Sequence, residues 1–224
     1  MGSEDLFRKR KARASEALQR QKQERARNKR YLIVCEGTKT EPNYFAELLE
    51  DLCIRPQVVR IAPNDGVSPD RVVAHALHLY DEDAAGGDAY DAVYCVFDRD
   101  THTTFNAAVQ RIKDLNDAGK PLIAITSNPC FEFWLLLHFD YSDQPFHAAG
   151  RKSVADQVVA ALKTKPDFGK YGKGQKGIYA LVKDKLDDAL KYAEQLRKHG
   201  LATGSVNPAT DIDELILALQ ALTK

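Results

Sequence analysis

Short apolar segments alternate with helical patterns over residues 31–139, and this alternation limits the possible folds more than any other feature of the chain. The segments with the composition of buried strands are YLIVCE, QVVRIAP, YDAVYCVFD and PLIAITS. Each is followed by residues with helical periodicity. Strands that are apolar on both faces are typical of a parallel sheet covered by helices. We therefore predict an α/β fold with a mostly parallel four-stranded sheet flanked by helices.

The pattern changes after Phe139, where helical segments follow one another without intervening strands. A loop rich in glycine and lysine, KPDFGKYGKGQKG, separates a first helical segment from a long one that we expect to end at Gly200. The last segment, NPATDIDELILALQALT, is predicted to form an amphipathic helix. We therefore expect residues 140–224 to form a helical appendage packed on the domain of residues 31–139.

The first 30 residues differ from the rest of the chain in charge. They contain 11 Lys and Arg but 4 Asp and Glu, whereas the whole chain has 32 of each kind. A basic arm of this type favours a phosphate-rich partner such as nucleic acid. The alternative is a solvated, mostly helical tail.

Several classes of protein are disfavoured by the composition. No run of about 18 apolar residues is present, so we expect no membrane span. The charged N-terminus does not have the apolar segment of a secretory signal, and we expect the protein to be cytoplasmic. The four cysteines form no CxxC pair and are predicted to be small buried hydrophobic residues: Cys35, Cys53, Cys95 and Cys130.

Acidic side chains follow the predicted strands at the edge where a parallel sheet binds its ligands. Glu36 ends the first strand, and Asp98 and Asp100 end the third. Carboxylates so close together repel each other unless a cation lies between them. Their oxygens suit Mg²⁺, with Mn²⁺ as an alternative, and Glu36 is either a further ligand or a general base. The alternative is that Asp98 and Asp100 are ordinary turn residues.

The turn after the first strand leads directly into a helix. Gly37 is expected to let the backbone turn tightly. Thr38 and Glu41 have the spacing of a capping box, and Thr40 is the alternative N-cap residue.

Glu132 is unusual because it lies within the apolar segment CFEFWLLLHF. A carboxylate in such a segment is expected to be solvated, paired or part of a site. The alternative is that Glu132, in the first turn of a helix that starts at Asn128 and Pro129, complements the helix dipole. His138 in the same segment is expected to be a core or boundary residue.

The spacing around Asp98 and Asp100 also allows a comparison with haloacid-dehalogenase phosphatases. These enzymes carry Thr two residues beyond the second Asp of a DxD that ends their first strand. Here that position is His102, and the DxD ends the third strand. The phosphatase interpretation is therefore disfavoured.

Taken together, these motifs resemble a known family. Glu-Gly after the first strand and DxD after the third resemble the Toprim fold of topoisomerases, primases and OLD-type nucleases. The segments VCEGTKTEPNYF, FDRDTH, SNPCFEFWLLLHF and NPATDIDELI resemble the RloB-like proteins, bacterial proteins often encoded beside an ATPase in phage-defence loci.

The resemblance implies a Toprim-like catalytic domain over residues 31–139 that acts as a Mg²⁺-dependent nuclease with a partner ATPase in abortive infection. By position, Glu36, Asp98 and Asp100 match the Toprim acidic residues, and Glu132 matches an acidic residue found after the fourth strand. The resemblance does not decide between DNA and RNA as the expected substrate, and tRNA is one candidate. An oligomer is compatible with the sequence.

Basic residues near the predicted site are candidates for contacts with nucleic acid, although a solvated loop is the alternative for those in the glycine-rich segment. They are Lys39, Arg99, Lys170, Lys173 and Lys176. A different class of function is also open: the protein is then a non-catalytic Toprim-like module that docks a partner ATPase.

Overall fold

The computed structural model describes residues 29–63, 68–99 and 102–223. Predicted features of the basic arm up to residue 28, and the candidate ligand Asp100, lie outside these ranges. The described strands are β1 (Tyr31–Cys35), β2 (Val59–Pro63), β3 (Ala92–Asp98), β4 (Leu122–Asn128) and β5 (Ala209–Thr210). The described helices are α1 (Thr40–Asp51), α2 (Pro69–Ala85), α3 (Phe105–Asp117), α4 (Glu132–Leu137), α5 (Val154–Leu162), α6 (Ile178–Val182), α7 (Leu186–Thr203) and α8 (Ile212–Gln220).

The strands form one sheet in the order β2-β1-β3-β4-β5. The first four strands are parallel, which confirms the predicted α/β class and mostly parallel sheet. The predicted number of four strands is wrong, because β5 pairs antiparallel with the end of β4. In this pairing Thr210 lies opposite Ser127. A strand of two residues has no periodicity of its own, so the sequence pattern assigned it to the final helix.

The sheet is covered on both faces, as the interior strand β1 shows. Successive side chains of a strand point to opposite faces. Tyr31, Ile33 and Cys35 belong to the apolar cluster that includes side chains of α1 and α4 to α8. Leu32 and Val34 belong to the cluster with α2 and α3. All five residues of β1 are buried, which explains why its sequence is apolar without alternation.

One cysteine departs from the prediction. Cys35, Cys95 and Cys130 are buried, but Cys53 is exposed and has a φ of 54° in the turn after α1. Burial of Cys53 was therefore predicted wrongly.

The ends of the long C-terminal helix also differ from the prediction. A 3₁₀ turn at Lys183–Lys185 separates α6 from α7, and α7 continues through Gly200 to Thr203. The residue that ends α7 is Gly204, in the left-handed region with a φ of 76°. Gly200 is needed for close packing, because a Cβ there would lie 2.8 Å from the carbonyl oxygen of Ser205.

No helix in the described ranges is long and apolar enough to cross a membrane.

His138 is a core residue, as expected, and is only 1% exposed. Its Nδ1 lies 3.1 Å from the carbonyl oxygen of Trp134, and the two rings are in an edge contact at 4.9 Å. Its Nε2 has no hydrogen-bond partner among the described residues. Burial lowers the pKa of His138 to about 4, because the charged imidazolium is poorly solvated there.

This burial predicts a loss of stability in acid. The folded-state pKa of His138 is below the ordinary value of 6.5, so stability is lost as pH falls below about 6.5 and continues to fall toward pH 4. Between pH 7 and pH 5, His138 is expected to lower the free energy of unfolding by about 2 kcal/mol. Urea denaturation of the wild type and His138→Asn over this range measures the effect. Equal pH dependence in the two proteins would contradict the prediction.

Candidate active site

A cavity of about 450 Å³ lies at the edge of the sheet where β1 and β3 end. This is the edge at which open parallel sheets bind their ligands. The cavity is lined by residues from the turn after β1, the end of β3, the start of α4 and the glycine-rich loop. They are Glu36, Gly37, Thr38, Lys39, Thr40, Glu41, Asp98, His102, Phe131, Glu132, Lys173 and Gly174.

Glu36 connects the two strand ends directly. The backbone N–H of Asp98 donates a hydrogen bond of 3.0 Å to Glu36 Oε2. The other carboxylate oxygen, Oε1, lies 3.1 Å from Nε2 of His102. These contacts fix the orientation of the Glu36 carboxylate at the cavity wall.

Asp98 is the last residue of β3, and its carboxylate faces the same cavity. The backbone N–H of Phe131, just before α4, interacts with this carboxylate. The structure therefore brings the predicted residues Glu36, Asp98 and Glu132 together at one cavity. Asp100, the other half of the predicted pair, remains a prediction because it lies outside the described residues.

Glu41 is a fourth carboxylate of the cavity that the sequence did not identify. Its spacing from Thr38 suggested a capping box, but the N-cap residue of α1 is Lys39, and this residue makes no side-chain capping bond. The predicted capping box is therefore wrong. Glu41 is 8% exposed and lines the cavity from the first turn of α1.

Gly37 has a different role from the predicted one. Its φ is not positive, so the turn does not require glycine for its backbone angles. Instead, the Glu41 carboxyl group packs against its Cα, and a Cβ at residue 37 would lie 2.8 Å from the carboxyl carbon. Glycine at this position makes room for Glu41 in the cavity.

Glu132 is the first residue of α4 and is 2% exposed. The helix begins three residues after Pro129, so the predicted start at Asn128 and Pro129 is wrong; Asn128 instead ends β4. The phenolic O–H of Tyr171 donates a hydrogen bond of 3.1 Å to Glu132 Oε1. Nζ of Lys173 lies 3.7 Å from the same oxygen. Glu132 is therefore a buried, partnered carboxylate that also lines the cavity.

Two of the five predicted basic residues line the cavity, Lys39 and Lys173. Lys170 and Lys176 are exposed and are not part of its lining. Arg99 also lies outside the lining, and its guanidinium is 5.4 Å from the ring centre of Phe105.

His102 is a second cavity residue that the sequence analysis did not select. In the sequence, His102 stands out only because it occupies the position of Thr in the phosphatase pattern. Its position four residues after Asp98 was the available signal, since a residue so close to a strand end stays at the same edge of the sheet.

Unbalanced negative charge is the main electrostatic property of this cavity. Burial, together with the carboxylates of Glu132 and Glu36, raises the pKa of Glu41 to about 7. Burial and the carboxylates of Glu41, Glu132 and Glu36 raise the pKa of Asp98 well above its usual range. Burial opposes the charged form of Lys173, but Glu132, Cys130, Asp98 and Glu41 together outweigh this effect and raise the lysine pKa. The cavity therefore favours the binding of additional positive charge.

The donor atoms fit a hard cation. Within the described ranges, no three His, Cys, Asp or Glu side chains form a complete metal site by themselves. Mg²⁺ does not need such a set, because it commonly binds one or two carboxylates and completes its shell with water and phosphate. Carboxylates from the ends of β1 and β3 that face one cavity supply this kind of partial ligand set.

The raised pKa of Glu41 predicts how the metal-free protein responds to pH. Its folded-state pKa lies above the ordinary value of 4.5, so its contribution to stability is full at low pH and is lost as pH rises through about 7. Between pH 5 and pH 8 we expect a loss of about 2 kcal/mol from Glu41, which Glu41→Gln removes.

Urea denaturation in EDTA measures this difference. Glu50→Gln is the matched control, since Glu50 is exposed on the same helix. A Glu41→Gln variant with the pH dependence of the wild type would show that the carboxyl group of Glu41 is not destabilised in the cavity.

Comparisons with known proteins agree with the motifs at this site. Searches of curated proteins and of solved structures gave no match. A family model described as RloB-like protein matches residues 31–219, which include every strand and helix named above apart from the last residue of α8. The chain belongs to the RloB-like family.

Proposed function

We propose that this protein is a metal-dependent nuclease that hydrolyses phosphodiester bonds in DNA or RNA. The observation that supports the proposal is the meeting of four carboxylates and two lysines in one cavity at the ligand-binding edge of the sheet. The carboxylates provide hard oxygen ligands, and the lysines provide positive charge for phosphate groups.

Asp98 and Glu36 are the residues proposed to hold Mg²⁺, together with Asp100. When bound, Mg²⁺ would neutralise a phosphate oxygen and the charge that develops on the leaving oxygen. The hydrogen bond from the Asp98 N–H holds Glu36 in place, so this carboxylate is oriented either as a ligand or as the base that accepts a proton from water.

The basic residues are proposed to orient the substrate. Lys39 and Lys173 approach the cavity from the turn after β1 and from the glycine-rich loop. Their charges would hold phosphate groups on either side of the bond to be cleaved. Lys170, Lys176 and Arg99 would contact the strand farther from the cavity.

The reaction is a hydrolysis. The oxygen of water forms a new bond to phosphorus, and the bond from phosphorus to the leaving sugar oxygen breaks. A proton passes from water to the Glu36 carboxylate or to solvent, and the leaving oxygen takes a proton from solvent.

Membership of the RloB-like family supports a role in defence against phage. We propose that a partner ATPase controls the nuclease, so that cleavage of host or phage nucleic acid occurs during infection. The basic arm before residue 31 would add affinity for nucleic acid that does not depend on sequence.

The proposal predicts that Asp98→Asn and Glu36→Gln each reduce cleavage at least about 100-fold, because each removes a carboxylate proposed to hold the Mg²⁺ that stabilises the transition state or, for Glu36, to accept a proton from water. The assay uses plasmid, single-stranded DNA and tRNA with Mg²⁺, Mn²⁺ or EDTA. Glu50→Gln, on the exposed face of α1, is expected to retain wild-type cleavage.

Equal cleavage by the wild type and both site variants would show that the activity arises elsewhere or from a contaminant. If the wild type alone does not cleave, the assay is repeated with the proposed partner ATPase. The absence of cleavage and of Mn²⁺ binding, together with a stable complex with the ATPase, would instead identify a non-catalytic binding module.

A further inference from the structure

The glycine-rich loop, residues 165–177, does more than present lysines to solvent. Phe168 and Tyr171 are 1% and 2% exposed and belong to the main apolar cluster. Tyr171 also reaches Glu132 through its hydroxyl group. A wholly solvated loop, one of the two interpretations of the sequence, is therefore excluded for this part of the segment.

A polar stripe on α1 holds this loop. Thr40, Asn43 and Glu47 recur at helical spacing and so lie on one face of the helix. Thr40 Oγ1 accepts a hydrogen bond of 2.9 Å from the N–H of Gly174, and Asn43 Nδ2 donates one of 3.3 Å to the carbonyl of Gly174. Glu47 Oε1 accepts a hydrogen bond of 2.6 Å from the N–H of Gly177.

The loop conformation at this contact requires glycine. Gly174 has a φ of +81°, a region that other residues rarely adopt. A Cβ at residue 174 would also lie 2.9 Å from Cδ of Lys39. The loop is thus seated closely on the start of α1, next to the cavity.

Two side chains of the loop, Tyr171 and Lys173, approach the same atom of Glu132. The hydroxyl group of Tyr171 and the ammonium group of Lys173 both approach Glu132 Oε1. Burial and the nearby Glu132 carboxylate raise the pKa of Tyr171, so this phenol remains a hydrogen-bond donor at neutral pH. The loop therefore supplies two of the partners that orient this carboxylate, in addition to the side chain of Cys130.

We propose that Tyr171 is a positioning residue, which orients the Glu132 carboxylate in the active site through the docking of the glycine-rich loop on the polar stripe of α1. The inference rests on the proposed nuclease function. In this proposal the loop has two roles: it contacts the substrate, and it helps to assemble the catalytic carboxylates.

The first test uses the full-length, metal-free protein and does not depend on activity. A double-mutant cycle with Tyr171→Phe and Glu132→Leu, which removes the hydrogen-bond acceptor, is measured by urea unfolding. A hydrogen bond to a buried charged group predicts that the two changes are non-additive by a factor of about ten in the unfolding equilibrium constant. Additive effects would overturn the inference.

The second test measures cleavage with Mg²⁺ and single-stranded DNA or tRNA, with the partner ATPase if the wild type requires it. Tyr171→Phe is expected to lower kcat about tenfold and to change KM less than twofold. The matched control is Tyr179→Phe, because the Tyr179 hydroxyl donates a bond of 3.0 Å to Asp51 at the far end of α1. Cleavage by the control is expected to equal that of the wild type.

The outcomes separate the two proposals. Wild-type kcat in Tyr171→Phe, or an equal loss in Tyr179→Phe, would overturn the positioning role while leaving the nuclease proposal intact. Non-additive unfolding with no cleavage by any protein would support the contact between Tyr171 and Glu132 and overturn the nuclease proposal.

Discussion

Repulsion between carboxylates in a partly buried cavity is the interaction on which the rest of this site depends. Glu36, Glu41, Asp98 and Glu132 come from three separate segments of the chain and face the same small volume. Their mutual repulsion and their burial oppose the folded state, which the apolar clusters on both faces of the sheet must offset. Natural proteins retain such costs mainly where function needs them, and this supports a catalytic or metal-binding role over a purely structural one.

The large-scale fold could be predicted because it follows from local patterns. The four parallel strands and their helices have the apolar composition and spacing that these elements require, as the fully buried β1 illustrates. The edge of the sheet that carries Glu36 and Asp98 follows from the parallel direction of the strands. The family assignment depended on the same segments.

The details that escaped prediction depend on contacts between residues far apart in the chain. Glu41 was explained by a local capping pattern, and only the packed structure reveals that it faces Asp98 and Glu132. β5 exists because Thr210 meets Ser127, and two residues carry no periodic signal. The attachment of Gly174 to Thr40 joins positions 134 residues apart, which no local pattern encodes.

The short strand β5 also affects which backbone groups of the sheet are exposed to other chains. It pairs with the last two residues of β4, next to the ligand-binding edge of the sheet. Without this pairing, the end of β4 would present unpaired backbone groups, which in other proteins recruit strands from neighbouring molecules. The C-terminal segment of this chain therefore pairs the backbone of the last two residues of β4 at the margin of the site.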